Sequence, residues 1–126
     1  MSYWKKLYLG CALVAAIGIS ASAQTFTTLA SYGDPFTQFT SFVQGRDGNL
    51  YGTVIDFNNG YGAVLKLTPS GTLTVLHNFC SKVNCTDGSY PGPLVLGTDG
   101  NFYGTAQGGG IPGYCGNYGC GTVFRF

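Results

Sequence analysis

The sequence predicts an all-β fold built of antiparallel, four-stranded meander repeats, and three observations predict it. The 126 residues include 21 glycines, 9 tyrosines and 9 phenylalanines but no glutamate. Glycine breaks helices, whereas aromatic and β-branched residues suit a pleated, half-buried surface. Beyond residue 24, no stretch spaces its apolar positions at helical intervals over three turns. Finally, the phrase GRDGNLYGT (Gly45–Thr53) returns 52 residues later as GTDGNFYGT (Gly97–Thr105), with seven of nine positions unchanged.

Residues 1–23 read as a signal peptide. Lys5 and Lys6 give a basic start, and Leu7 to Ile19 form a mostly apolar, uncharged run of 13 residues. That run makes about 20 Å of helix, too short for a bilayer core of about 30 Å. Ala21-Ser22-Ala23 supplies the small-x-small cleavage pattern, so the mature chain starts at Gln24. A lipoprotein signal at Cys11 would leave almost no apolar stretch before the cysteine and is set aside. Residues 24–126 suit one small domain. Arg46, Lys66, Lys82 and Arg125 stand against five aspartates, for a net charge of −1. Such a surface has no basic patch for nucleic acid. The remaining apolar stretches are too short to span a membrane.

Three elements recur in the same order. TFTTL (Thr25–Leu29) returns as TLTVL (Thr72–Leu76) at offset 47, the nonapeptide at offset 52, and GAVLKL (Gly62–Leu67) as GTVFRF (Gly121–Phe126) at offset 59. Two units follow, about 25–67 and about 72–126. The offset grows where the second unit carries a cysteine pair that the first lacks: Cys80 with Cys85, then Cys115 with Cys120. Both inserts read as loops added to an unchanged strand framework, each closed by its own disulfide in an oxidising compartment. A zinc site built from all four thiolates is the rival reading.

Asp47-Gly48-Asn49 and Asp99-Gly100-Asn101 lie between apolar runs and predict tight hairpins, since glycine adopts positive φ freely and Asn and Asp tolerate it. Thr68-Pro69-Ser70-Gly71 predicts another turn, after which TLTVLHNF supplies a fourth strand. A four-stranded meander of roughly 50 residues has the size and layout of one β-propeller blade.

The stretches LVLGTDGNFYGTAQGGG…GTVFRF and VLKLTPSGTLTVLHNFC resemble the GloVer (Gloeo/Verruco) tandem-repeat family of exported bacterial proteins, over nearly all of residues 25–126. The resemblance implies an extracellular, propeller-like protein without an established biochemical activity. Family members usually carry several repeats, often followed by an anchoring segment, whereas this sequence holds about two. Propellers close with about four to eight blades. The sequence is therefore expected to be a piece of a longer repeat protein, or half of a ring assembled head to tail with Thr25–Leu29 completing the last blade of another copy.

Catalytic readings are weak. His77, the sole histidine, ends an apolar strand with no carboxylate nearby in sequence. No G-x-S-x-G phrase accompanies the serines. Paired-carboxylate glycoside chemistry would need two of Asp34, Asp47, Asp56, Asp87 and Asp99, of which Asp47 and Asp99 read as turn residues. No acidic run resembles a calcium loop. The glycines of Gln107–Gly110 lack the G-K-[ST] ending of a phosphate loop. Tyr61, Tyr90, Tyr114 and Tyr118 fall in loops and are candidates for glycan or protein contact; the repeat-equivalent Tyr51 and Tyr103 suit packing between units. The sequence thus reads as a secreted or cell-surface, non-catalytic structural or binding module. It needs no cofactor and no metal, and its expected partner is a second copy, further repeats, or a glycan or protein ligand. The alternative is a secreted hydrolase acting on polysaccharide, marked by two aspartates and His77 in one cleft.

Overall fold

The computed structural model describes residues 24–31, 33, 37–55, 60–111, 113, 115 and 119–126. The signal segment 1–23, Cys11 within it, Asp34, Asp56, Tyr114 and Tyr118 lie outside the described residues. What is described is all-β, in two antiparallel sheets, with a single 3-10 turn at Val83–Cys85.

Sheet one is a meander of β1 (Gln38–Gln44), β2 (Leu50–Ile55), β3 (Ala63–Leu67) and β4 (Leu73–Asn78), neighbours in that order. Its first turn is the nonapeptide hairpin, and its last is closed by the Gly71 amide donating to the Thr68 carbonyl at 2.9 Å. Sheet two holds β5 (Ser89–Pro91), β6 (Val95–Leu96), β7 (Phe102–Gly108) and β8 (Thr122–Arg125). β5 and β6 pair with successive parts of β7, and β8 pairs with β7 through Ala106↔Thr122 to Tyr103↔Arg125. Four segments therefore fill three positions across the sheet. The interruption falls at Gly92-Pro93-Leu94, where proline has no N–H for the ladder. Among the described residues β8 has no strand on its outer edge, and neither sheet closes on itself.

The sheets are framed differently from the sequence units. β4 lies in the Thr72–Leu76 element that opens the second unit, yet it closes the first sheet. Its counterpart Thr25–Leu29, expected as a fourth-strand element, forms no strand, and Phe26 is 93% exposed. In sheet one the place its counterpart fills is taken: β3 carries β2 on one edge and β4 on the other.

The main core lies between the sheets. Val64 and Phe79 meet Leu94 and Ala106 there, with Val43, Tyr51 and Phe124 packed around them. Strict alternation along β7 turns Phe102, Gly104, Ala106 and Gly108 inward. A Cβ on Gly104 would stand 2.5 Å from Cζ of Phe124, so glycine is what lets that ring lie on the strand. On the far face of sheet one, Val54, Ala63 and Leu65 form a second cluster with Leu73.

Candidate interface and binding surfaces

Both nonapeptide turns are held by one hydrogen-bond pattern. In the first, Asp47 accepts from the Asn49 amide at 3.2 Å, from Asn49 Nδ2 at 2.6 Å and from the Tyr51 hydroxyl at 2.8 Å. In the second, Asp99 accepts from the Asn101 amide at 3.1 Å, Asn101 Nδ2 at 2.7 Å and the Tyr103 hydroxyl at 2.7 Å. Gly48 and Gly100 occupy positive φ, 80° and 87°. A Cβ on Gly45 or Gly97 would strike the turn's own aspartate and tyrosine ring. The recurring residues Asp47, Gly48, Asn49 and Asp99, Gly100, Asn101 are thus turn-builders, as their spacing suggests.

These bonds stabilise the carboxylate form. The Asn49 and Tyr51 side chains hold Asp47 below its ordinary range, and the bond to Asp47 raises Tyr51. Tyr103, then Asn101, bring Asp99 down to about 2. A depressed folded pKa means that the turn's contribution is complete above the unfolded value and is lost as pH falls towards 2. A carboxyl-carbon NMR titration is expected to place the Asp99 midpoint near 2; a midpoint near 3.8 would mean that the Tyr103 and Asn101 bonds are not formed in solution.

The two turns also touch. The Arg46 guanidinium donates to the Thr98 carbonyl and lies over Gly100. Arg46 and Thr98 occupy the same place in the two nonapeptides, one of the two positions that differ. Deeper in the seam, the fully buried Thr53 donates through Oγ1 to the Gly92 carbonyl at 2.7 Å. The Tyr51 ring packs on Phe102 with centroids 4.4 Å apart. At the opposite end the Tyr90 amide donates to the Tyr61 carbonyl at 3.0 Å. Tyr61 is exposed and Tyr90 half-buried, so these two candidate contact residues sit together at the rim of the seam.

Sheet two turns outward a copy of the face by which sheet one grips it. In sheet one the gripping residues are Val43, Tyr51, Thr53 and Val64, with Lys66 opposite Tyr51. The repeat offsets map them onto Val95, Tyr103, Thr105, Val123 and Arg125. Val64 is 2% exposed, whereas Val123 is 80% and Val95 62% exposed. Chemistry is kept at all five positions, while Val95, Thr105, Val123 and Arg125 are exposed and Tyr103 is half-buried like Tyr51.

The cysteine inserts lie at the end of the sheets away from the nonapeptide turns. Cys80 and Cys85 stand at disulfide distance, as do Cys115 and Cys120. Among the described residues, no group of three or more His, Cys, Asp or Glu is placed to hold a metal ion. The first loop is capped by Asp87, which accepts from the Ser81 hydroxyl at 2.6 Å and from the Ser81 and Lys82 amides at 3.0 and 3.2 Å. Burial works to raise the Asp87 carboxyl, but these bonds outweigh it and the net shift is downward. The glycine run serves this loop. The Gly110 amide donates to the Cys85 carbonyl at 3.1 Å, and a Cβ on Gly109 would collide with that same carbonyl.

His77 has no carboxylate close by in sequence, but the fold brings it one. Its Nε2 lies 3.3 Å from Asp87 Oδ2, and its ring sits edge-on to Phe79. The partner was hidden because the disulfide loop folds ten residues of chain back on themselves. Both groups border a groove of about 500 Å³ between β4 and β8, floored by Leu76, Phe79, Phe124 and Phe126. Asp47 and Asp99 lie in the nonapeptide turns, so the described residues bring one aspartate to His77, with its oxygens already engaged.

Comparison with protein-family models, with curated proteins and with solved structures finds no match for this chain. Among the described residues, no helix is long and apolar enough to cross a membrane.

Proposed function

We propose that this is an exported, non-catalytic structural or binding module made of propeller-type units, acting through the outward face of its second sheet. The observation that carries the reading is the face itself. Val95, Tyr103, Thr105, Val123 and Arg125 repeat the residues that mate the two sheets, but four of them stand exposed and Tyr103 is half-buried. A face of this kind is an interaction surface. Export is supported by the signal-type residues 1–23 and by two cysteine pairs at bonding distance, which persist in oxidising compartments. The GloVer-like motifs support the same placement, and Tyr61 and Tyr90 remain contact candidates beside the seam.

The polysaccharide-hydrolase alternative requires a second carboxylate with a free oxygen near His77. Asp87 instead caps its own loop. The discriminating experiment incubates the oxidised protein with a panel of polysaccharides and measures reducing ends. No release above buffer is expected, with or without His77→Ala. Release that disappears in His77→Ala would overturn the module reading.

A further inference from the structure

We propose that the open edge of β8 binds Thr25–Leu29 of a second copy of this chain, added as a fourth antiparallel strand with Phe26 seated in the groove between β8 and β4. The inference rests on the module reading and names its partner.

The chain itself displays the template. In sheet one, β4 runs along β3 with Leu73 opposite Leu67, Thr74 opposite Lys66 and Val75 opposite Leu65. Thr25–Leu29 repeats the Thr-x-Thr-x-Leu pattern of Thr72–Leu76, and β8 repeats the pattern of β3. Carrying the register across sets Phe26 opposite Phe126, Thr27 opposite Arg125 and Thr28 opposite Phe124. Leu73 packs with Val54, Ala63 and Leu65, so Phe26 takes the corresponding face of sheet two. That is the face of Phe124, which turns toward sheet one and borders the groove.

Both halves of the joint are open in the single chain. Phe26 is 93% exposed, and Leu29 is also exposed. Among the described residues β8 pairs with β7 alone, and a strand edge with unpaired N–H and C=O groups is a template for an added strand. The chain's own segment is placed elsewhere. The Leu29 carbonyl sits where a Cβ of Gly71 would point, two residues before Leu73. That glycine sits in the turn joining β3 to β4, and none of residues 24–31 borders the groove.

A second copy entering this way lays its first sheet against Val95, Tyr103, Thr105 and Val123. That contact continues the seam already present between the two sheets. It is heterologous, so it closes into a ring when the rotation closes and otherwise extends as a filament.

The test is the mass of oxidised residues 24–126 by light scattering across a concentration series. Concentration-dependent association is expected. Phe26→Asp should weaken it by roughly thirtyfold without changing circular dichroism or melting, because Phe26 touches little in the single chain. An excess of the peptide spanning Gln24–Ser31 should return the protein to single-chain mass, and the same peptide with Phe26→Asp should not. Association that survives Phe26→Asp but is lost in Val123→Asp would overturn the strand proposal and leave the module reading in place. Association indifferent to both variants, or a single-chain mass at every concentration, would also overturn the strand proposal. The reducing-end assay judges the module reading separately.

Discussion

Gly62→Ala is expected to destabilise the protein by about 3–4 kcal/mol, lowering its melting midpoint by roughly 15 °C. Gly62 has φ of +84°, and a Cβ there would stand 2.5 Å from the Val54 carbonyl and 2.6 Å from Pro91 Cδ. The methyl group has no direction to yield. One side is the β2 backbone, the other the first strand of sheet two, so relief requires opening the seam. Gly60→Ala separates the two causes. Gly60 has nearly the same φ, +82°, with nothing within 4 Å of the position a Cβ would take. It is expected to cost about 1 kcal/mol, the backbone penalty alone. Equal melting of the two variants would mean that Pro91 does not press on Gly62 in solution. For a domain whose whole stability is about 5–15 kcal/mol, the larger loss decides whether the chain accumulates folded.

The second large effect comes from neighbours on one strand. Phe124→Ala is expected to cost about 3 kcal/mol and Val123→Ala no more than about 0.5 kcal/mol. The Phe124 ring meets Phe79 edge-on with centroids 5.0 Å apart and lies against Gly104. Val123 points the other way and is 80% exposed. Urea unfolding of both variants at high dilution, where copies stay apart, reads the difference. Comparable losses would mean that β8 is shifted by one residue in register, since a one-place slip exchanges the two faces.

Legibility in the sequence followed distance along the chain. The hairpin at Asp47-Gly48-Asn49 and its copy at Asp99-Gly100-Asn101 were readable because a tight turn is chosen by residues within five positions of one another. The cysteine pairs were readable for the same reason, each lying inside one short insert. The partnerships of Thr53 with Gly92, 39 residues away, and of Arg46 with Thr98, 52 away, carry no local signature and depend on how one sheet lands on the next. Asp87 was missed beside His77 because the intervening loop reverses the chain. Thr25–Leu29 shows the opposite error: its pattern is that of a strand, but a strand also needs a partner, and in sheet one the place beside β3 is taken by β4. Tyr51 runs against that rule, since its packing role between units was legible although Phe102 lies in the other unit, while its hydroxyl bond to Asp47, four residues away, was not.

The seam's direct hydrogen bonds end on main chain: the carbonyls of Thr98 and Gly92 accept from Arg46 and Thr53, and the Tyr61 carbonyl accepts from the Tyr90 amide. A peptide carbonyl survives any point mutation. The accepting half of such a joint can therefore drift in side-chain identity without losing those bonds, while the donors Arg46 and Thr53 stay under selection. Lineages built on this joint should vary more at the carbonyl positions Thr98 and Gly92 than at the donors Arg46 and Thr53.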